Sequence, residues 1–222
     1  MSNLNILIMG VAGSGKGTMS KYVKDYFHIP HISTGDMFRK AIAKKSKLGV
    51  LAEEYINQGL LVPDDITIAM IKERLLQDDC QDGYLLDGFP RTLPQAKAFE
   101  DIAAETNRPI KIVIDLEIAL SELTPRIVNR RLCKSCGAIY NTVTLPSKIE
   151  GVCDKCGNPL IHRSDDTIEG LSVRIREHEK LTNPVLEYFL KDGLVIKVDA
   201  GRSINEVWAD IKKALENLND QN

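Results

Sequence analysis

Two groups of residues in this chain have types and spacings that can do chemistry. The first is Gly10-Val11-Ala12-Gly13-Ser14-Gly15-Lys16-Gly17-Thr18. Glycines at this density let a backbone fold around an anion, so that its N–H groups and the N-terminus of a following helix point at phosphate oxygens. Lys16 can then reach the outer phosphates. The spacing fits G-x-x-x-x-G-K-[ST], except that Gly17 stands where the hydroxyl residue belongs and Thr18 brings it one position later. That shift leaves the metal-binding role of the hydroxyl open.

The second group is Cys133-x-x-Cys136-Gly137 and Cys153-x-x-Cys156-Gly157, two knuckles separated by sixteen residues. This is the spacing of a four-cysteine zinc site, with a glycine after each pair to allow the turn that aims N–H groups at sulfur. Four thiolates leave no open coordination position, so the expected zinc is structural. A disulfide or unrelated thiols would be the alternative, but four cysteines make a poor disulfide framework in so long a chain and fit a reducing compartment better. Cys80 is read as a structural residue.

A third feature depends on the first. The strand Tyr84-Leu85-Leu86-Asp87 ends in an acid and runs into Gly88-Phe89-Pro90-Arg91. Asp87 alone could be a turn residue. Beside a phosphate loop it is placed to hold Mg²⁺ or its waters, and Arg91 to meet phosphate. His28, His31, His162 and His178 pair with no recognisable nucleophile and are read as surface or structural residues.

The elements that must position these groups follow from periodicity. Asn5 to Met9 reads as a buried strand, and Met19, Tyr22, Val23 and Tyr26 recur at helical spacing. Ile29 to Ile32 reads as an extended link. Ser33-x-x-Asp36 marks a helix start, a second helical piece runs from about Leu48 to Asn57 and stops at Gly59, and Asp64-Asp65 opens a new helix after Pro63. Residues 33–62 thus look like a small helical insertion. Further helices are expected through Gln95 to Thr106 and over Ile118 to Arg131, the latter interrupted by Pro125, with a strand over Ile110 to Leu116. A polar stretch from His162 leads into a helix carrying Arg174 and Arg176. Leu194 to Val198 is the last strand, and Ser203-x-x-Glu206 opens a final helix whose Trp208 faces the core. The tail Asn219 to Asn222 is expected to fray.

The 222 residues suffice for one α/β core with inserted subdomains, and a net charge of -2 does not advertise a nucleic-acid binder. No run of eighteen apolar residues occurs, and the N-terminus moves straight into a strand, which predicts a soluble cytoplasmic protein.

Taken together, Gly10 to Thr18, Ser33-Thr34-Gly35-Asp36, Asp87-Gly88-Phe89-Pro90-Arg91 and Arg163-Ser164-Asp165-Asp166 resemble the motifs of adenylate kinases, and with the cysteine pairs those of the long, zinc-carrying bacterial type. The resemblance covers nearly the whole chain. It implies a P-loop α/β core, a parallel sheet flanked by helices, formed by residues 1–32, 63–128 and 167–222. It makes 33–62 the monophosphate-binding insertion and 129–166 a zinc-binding lid. It implies that Gly13, Ser14, Gly15, Lys16, Gly17 and Thr18 hold the ATP phosphates and that Ile139 and Tyr140 contact ATP from the lid. Thr34, Arg39, Leu60, Leu61, Val62, Gly88, Phe89, Pro90, Arg91 and Gln95 would line the AMP site. Arg126, Arg130, Arg163 and Arg174 would converge on the transferring phosphates, Arg130 from the ATP side and Arg163 and Arg174 from the AMP side. Arg202 falls near the adenine of ATP. Many zinc-lid members carry Asp where this chain has Cys156, a change that keeps four ligands. The partners implied are ATP, AMP and ADP with Mg²⁺, for a monomer that binds neither nucleic acid nor membrane.

Physical need asks for the positive charge that these residues carry. An AMP phosphate oxygen is already anionic, so no general base is required, and the problem is to bring two negative groups into line. Lys16, Arg39, Arg91, Arg126, Arg130, Arg163 and Arg174 supply positive charge for that purpose, and closure of the insertions would exclude water. The alternatives are another nucleoside monophosphate kinase, a GTP donor, or a zinc-knuckle nucleic-acid or regulatory ATPase module. Against the last, Cys133 to Cys156 holds three lysines and one tyrosine, too few for a basic stripe with stacking aromatics.

Overall fold

The computed structural model describes residues 4–219. Its central strand is β1 (Leu4–Met9), buried at every position. Leu4 to Met9 lacks polar–apolar alternation because both faces of a parallel sheet are covered by helices. β1 pairs in parallel with β3 (Gly83–Asp87) and β4 (Ile112–Glu117), so that Leu7 lies between Leu86 and Val113. β2 (His31–Ser33) lies outside β3 and β8 (Val195–Asp199) outside β4, giving the order β2-β3-β1-β4-β8. Asn5, the polar residue of β1, is satisfied at one end by donating Nδ2–H to Pro109 O at 2.8 Å.

Successive side chains of β1 serve opposite layers, as the strand period requires. Ile6 and Ile8 pack with Met19 and Val23 of α1 (Lys16–Phe27) and with Val207, Ile211 and Leu215 of α9 (Ile204–Asn219). Leu7 and Met9 pack with Ile71 of α4 (Asp64–Leu75), Phe99 of α5 (Leu93–Thr106) and Phe189 of α8 (Asn183–Leu190). Burying one such side chain contributes about 1.5–3 kcal/mol, so the two layers set where every strand end must lie.

Two smaller units leave this core. α2 (Thr34–Ala43) and α3 (Lys47–Asn57) start on the hydroxyls of Ser33 and Ser46, which accept from Asp36 N–H and Gly49 N–H. They pack closely: a Cβ on Gly49 would lie 2.1 Å from Ala41 O. Phe38, Ala52 and Val62 form their own small core. Beyond α6 (Leu120–Val128), an antiparallel sheet of order β6-β5-β7 is built from β5 (Arg130–Cys133), β6 (Ile139–Asn141) and β7 (Leu160–Ile161). α7 (Ile168–Glu177) returns the chain to the core and continues through a π-helical turn, His178–Thr182, into α8. No described helix is long and apolar enough to cross a membrane.

Several expectations change here. The helix expected up to Arg131 ends at Val128, because Arg130 to Leu132 are drawn into strand pairing with Ile139 to Asn141. Pro125 lies inside α6 without ending it. The link at residues 29–32 contributes an edge strand, and Asn183-Pro184 opens α8, an element the sequence reading missed. Trp208 is half-buried against the core and also packs with Tyr22, ring centroids 5.5 Å apart. The expected frayed tail lies, from residue 220 onward, outside the described residues.

Candidate active site

The loop after β1 has the conformation its glycines allow. Gly10 has φ 133°, and a Cβ there would meet Ser14 Oγ at 2.7 Å and Leu116 O at 2.8 Å. No side chain caps the start of α1, which leaves its first N–H groups free for an anion. Ser14 Oγ is buried with no partner among the described residues. Lys16 turns back on its own loop, donating to Gly10 O at 2.6 Å and Val11 O at 2.9 Å. Burial pushes its ammonium down to about 8, against the pull of Asp87.

Around Lys16 the fold gathers basic side chains from distant segments. Arg91 is held by its Nε–H on Gly88 O at 2.9 Å, and burial lowers its affinity for the proton, with Arg174 and Arg39 adding to the effect. Arg163 is pushed down to about 10 by burial and by Arg39 and Arg130, and its Nε–H has no partner among the described residues. Arg130 and Arg174 are held by Asp166 and Asp165, and Arg39 by Asp36 at 2.5 Å. Charges that repel one another are thus held together by packing and a few carboxylates, an arrangement suited to an anion of high charge. Arg126 donates instead to Ala200 O at 2.9 Å, and Arg202 pairs with Asp210.

Asp87 closes β3 inside this cluster. Burial opposes its charge, but the hydrogen bond from His31 and the charges of Lys16 and Arg91 outweigh it and hold the carboxyl below its ordinary range. His31, at 3.3 Å from Asp87 Oδ2, arrives from the neighbouring strand β2. The Nε2 of His178 is buried with no partner among the described residues; burial and then Lys16 and Arg91 push the ring down to about 4, so it is neutral. Both histidines are half-buried, on the structural side of the expectation that they are surface or structural residues.

The other wall is formed by Thr34, Gly88, Arg91 and Gln95. Thr34 Oγ1 donates to Gly88 O at 2.9 Å, and a Cβ on Gly88 would meet Thr34 Oγ1 and an Arg91 nitrogen, each at 2.8 Å. Phe89 is buried in the core against Phe99, so the stretch 88–91 offers this wall its main chain and Arg91. Pro90 follows a cis peptide bond. Leu60 is exposed, Leu61 half-buried and Val62 buried.

From the antiparallel sheet, Ile139 reaches the start of α1: a Cβ on Gly17 would lie 3.1 Å from Ile139 Cδ1. Gly17 therefore replaces the expected hydroxyl residue at a point where the sheet comes down on the loop; Thr18 is half-buried beside it. Tyr140 is buried, its hydroxyl accepting from Asp154 N–H at 2.8 Å beside Cys153 Sγ. The sheet and the helical unit also meet, Ser164 Oγ donating to Asn57 Oδ1 at 3.5 Å.

The sulfurs of Cys133, Cys136, Cys153 and Cys156 lie within 4.8 Å of one another, with Cys133–Cys156 at 3.4 Å and Cys136–Cys153 at 3.5 Å. A tetrahedral ion with bonds of about 2.3 Å to sulfur separates its ligands by about 3.8 Å. The cage therefore has the size and donors of a metal site. Gly137 and Gly157 take positive φ, and their N–H groups close the turns on Cys133 O and Cys153 O rather than on sulfur.

A parallel sheet with a phosphate loop after its central strand, facing converging arginines and an ionised carboxylate, defines a P-loop phosphoryl-transfer protein. The comparisons narrow the class. The adenylate kinase family profile matches residues 8–194. The chain is 45% identical to the adenylate kinase of Bacillus pumilus over 216 residues, covering 97% of this chain and all of that one. It is 47% identical to that of Carboxydothermus hydrogenoformans over 213 residues, 96% of this chain and 100% of the relative. With the adenylate kinase of Archaeoglobus fulgidus the identity is 43% over 215 residues, 97% and 99% of the two chains. The chain belongs to the adenylate kinase family, and its reaction is the reversible transfer of the γ-phosphoryl group of ATP to AMP, giving two ADP.

Proposed function

We propose that the cluster of Lys16, Arg39, Arg91, Arg130, Arg163 and Arg174 carries this transfer, and that residues 33–62 and 129–166 close over it from the two sides. The observation that carries the reading is the convergence of these cations from distant segments on one buried loop: burial first, and neighbouring cations after it, lower the proton affinity of Lys16, Arg91 and Arg163. Such a site gains most when polyanions enter it. The loop Gly13 to Thr18 would cradle the ATP phosphates on its N–H groups, and Lys16 would leave Gly10 O and Val11 O for a phosphate oxygen. The wall Thr34, Gly88, Phe89, Pro90, Arg91 and Gln95, with Arg39 and Leu60 to Val62, would take AMP. Arg163 and Arg174 would reach the transferring phosphates from the AMP side and Arg130 from the ATP side.

No side chain has to remove a proton, because the attacking AMP oxygen is anionic. The residues bind, align and exclude water, with Ile139 pressing on the loop, Arg126 joining the arginines on the transferring phosphates and Arg202 near the donor base. Mg²⁺ bound with ATP would neutralise phosphate charge, and the ionised Asp87 is the group that would hold its waters. Zinc on Cys133, Cys136, Cys153 and Cys156 would crosslink the lid, its role confined to structure because four thiolates fill the shell. We read the protein as a cytoplasmic monomer without nucleic-acid or membrane partners, a reading supported by the net charge of -2 and by cysteine pairs spaced for a metal rather than for a disulfide framework.

Phosphoryl exchange with ATP, Mg²⁺ and each of AMP, GMP, CMP and UMP tests the site. A strong preference for AMP is expected, with turnover on every acceptor lowered by Arg91→Ala and Arg163→Ala; equal use of all four would remove the base-reading wall.

A further inference from the structure

Gln95 is 2% exposed, and both ends of its amide are already engaged. Its Nε2–H donates to Asp64 Oδ1 at 2.7 Å, and its Oε1 accepts from Arg91 N–H at 2.8 Å. The second oxygen of Asp64 accepts from Thr92 Oγ1 at 2.8 Å, and Thr92 Oγ1 in turn accepts from Gln95 N–H at 3.2 Å, capping α5. Asp64 opens α4, where the helix N-terminus favours its charge.

The chemistry of these partners fixes which way the amide faces. An ionised carboxylate only accepts and a main-chain N–H only donates, so nitrogen must face Asp64 and oxygen must face Arg91. Rotating the amide by half a turn would set oxygen against carboxylate and NH₂ against N–H, leaving buried polar groups unpaired. One N–H and one lone pair of Gln95 remain for a ligand, in a fixed order. Adenine offers an acceptor at N1 and a donor at N6; guanine offers a donor at N1 and an acceptor at O6, the reverse order.

We propose that Asp64, with Arg91 N–H, is a specificity-determining positioning residue: it locks the Gln95 amide in the one orientation that pairs with adenine and opposes guanine. The inference rests on the reading of Gln95 as part of the AMP wall. Asp64 acts through Gln95 and touches no substrate.

The test compares kcat/KM for AMP and GMP, with ATP as donor, in the parent, Asp64→Asn, Asp64→Ala, Gln95→Ala and Asp64→Asn/Gln95→Ala. The Asn side chain keeps the shape and can accept or donate, so it removes one of the two constraints on the amide and leaves only Arg91 N–H to hold it. The AMP:GMP ratio should fall on the order of tenfold or more in both Asp64 variants. Gln95→Ala should lower it at least as far, and the double variant no further. A ratio that falls in Gln95→Ala but stays within about twofold in both Asp64 variants overturns the lock and leaves the Gln95 reading intact. An unchanged ratio in Gln95→Ala overturns that reading and the inference with it. Additive losses in the double variant would mean that Asp64 acts apart from Gln95, and would also overturn it. Melting of each variant confirms folding, and Asp64→Asn, which keeps every hydrogen-bonding position, carries the test if Asp64→Ala does not fold.

Discussion

Arg130 grips Asp166 with two sides of its guanidinium, Nε–H on Oδ2 at 2.7 Å and a terminal nitrogen on Oδ1. Arg130 opens β5 and Asp166 follows β7, so the pair joins the two strands by which the cysteine-bearing sheet leaves and rejoins the core. Asp166 is 1% exposed, and its carboxylate also faces Arg174 at 3.5 Å.

Asp166→Asn should therefore strand a guanidinium among like charges and destabilise the protein by about 3–5 kcal/mol, as breaking a buried pair does. The pH dependence has a definite sign. Burial pushes the carboxyl up, but Arg130 and the charges of Arg163 and Arg174 outweigh it, so the folded value lies below the ordinary one. The contribution is then fully present above about pH 4 and is lost as pH falls further. Urea titrations at pH 7 and pH 3 should show the gap between parent and variant closing at the lower pH; a constant gap contradicts the assignment.

Arg163 should behave in the opposite way. Its Nε–H has no partner among the described residues and its charge is opposed by Arg39 and Arg130. Arg163→Ala should leave stability unchanged or raise it slightly while lowering turnover on the order of a hundredfold. Turnover within about threefold of the parent would remove Arg163 from the reacting centre.

Burial pushes the Lys16 ammonium down to about 8, and an anionic triphosphate should restore its proton affinity. ATP binding at about pH 8.5–9 should then take up a proton, seen in calorimetry as a heat that varies with the ionisation enthalpy of the buffer. Lys16→Met should abolish the uptake. Between about 8 and the ordinary lysine value near 10.4 the unfolded chain holds the extra proton, so this group makes the unliganded protein more stable as pH rises.

Gly49→Ala should loosen the pair α2 and α3, since a Cβ would lie 2.1 Å from Ala41 O and 2.4 Å from Ala41 C. Backbone cannot step aside as a side chain can, and overpacking of this kind costs about 1–3 kcal/mol. The KM for AMP should rise several-fold more than that for ATP; equal changes would show that this unit serves both substrates alike.

Chelation should lower the melting temperature of the cysteine-bearing sheet first, because its strands of two to four residues are too short to hold without a crosslink. Activity at low temperature should survive in part, and Cys153→Ala should lose metal more readily. Metal content, melting and turnover measured on one sample decide it. Complete loss of turnover in a fully folded, metal-free protein, restored only by Lewis-acidic metals, would make the metal catalytic.

Elements with a local signature were legible in the sequence. The loop glycines, the Ser33 and Ser203 helix starts and the apolar run of β1 each act through neighbours a few residues away, and Ser203 and Glu206 do form the reciprocal cap. What escaped is set by distant partners. Arg130 and Arg131 continue a helical pattern and become strand only because residues 139–141 pair with them. The helix α8 carries no start signal beyond Asn183-Pro184, and proline fits its first turn because the N–H that proline lacks would have no partner there. His31 gains its role from sheet order: β2 lies beside β3 in parallel, with Ser33 opposite Asp87. Asp64 and Gln95, 31 residues apart, meet only once α4 and α5 pack.

The position of β1 has a consequence for how the chain is made. Leu4 to Met9 leaves the ribosome before the strands that flank it, and Leu7 gains one neighbour only when Leu86 has been added and the other only with Val113. Until then the new chain carries an uncharged, apolar stretch with two open edges, the kind of segment that pairs with the wrong strand. Such non-local pairing is slow to form and leaves the nascent chain open to capture by others. The loop that will hold nucleotide follows β1 directly, so it acquires its shape only after the chain has been extended past β4.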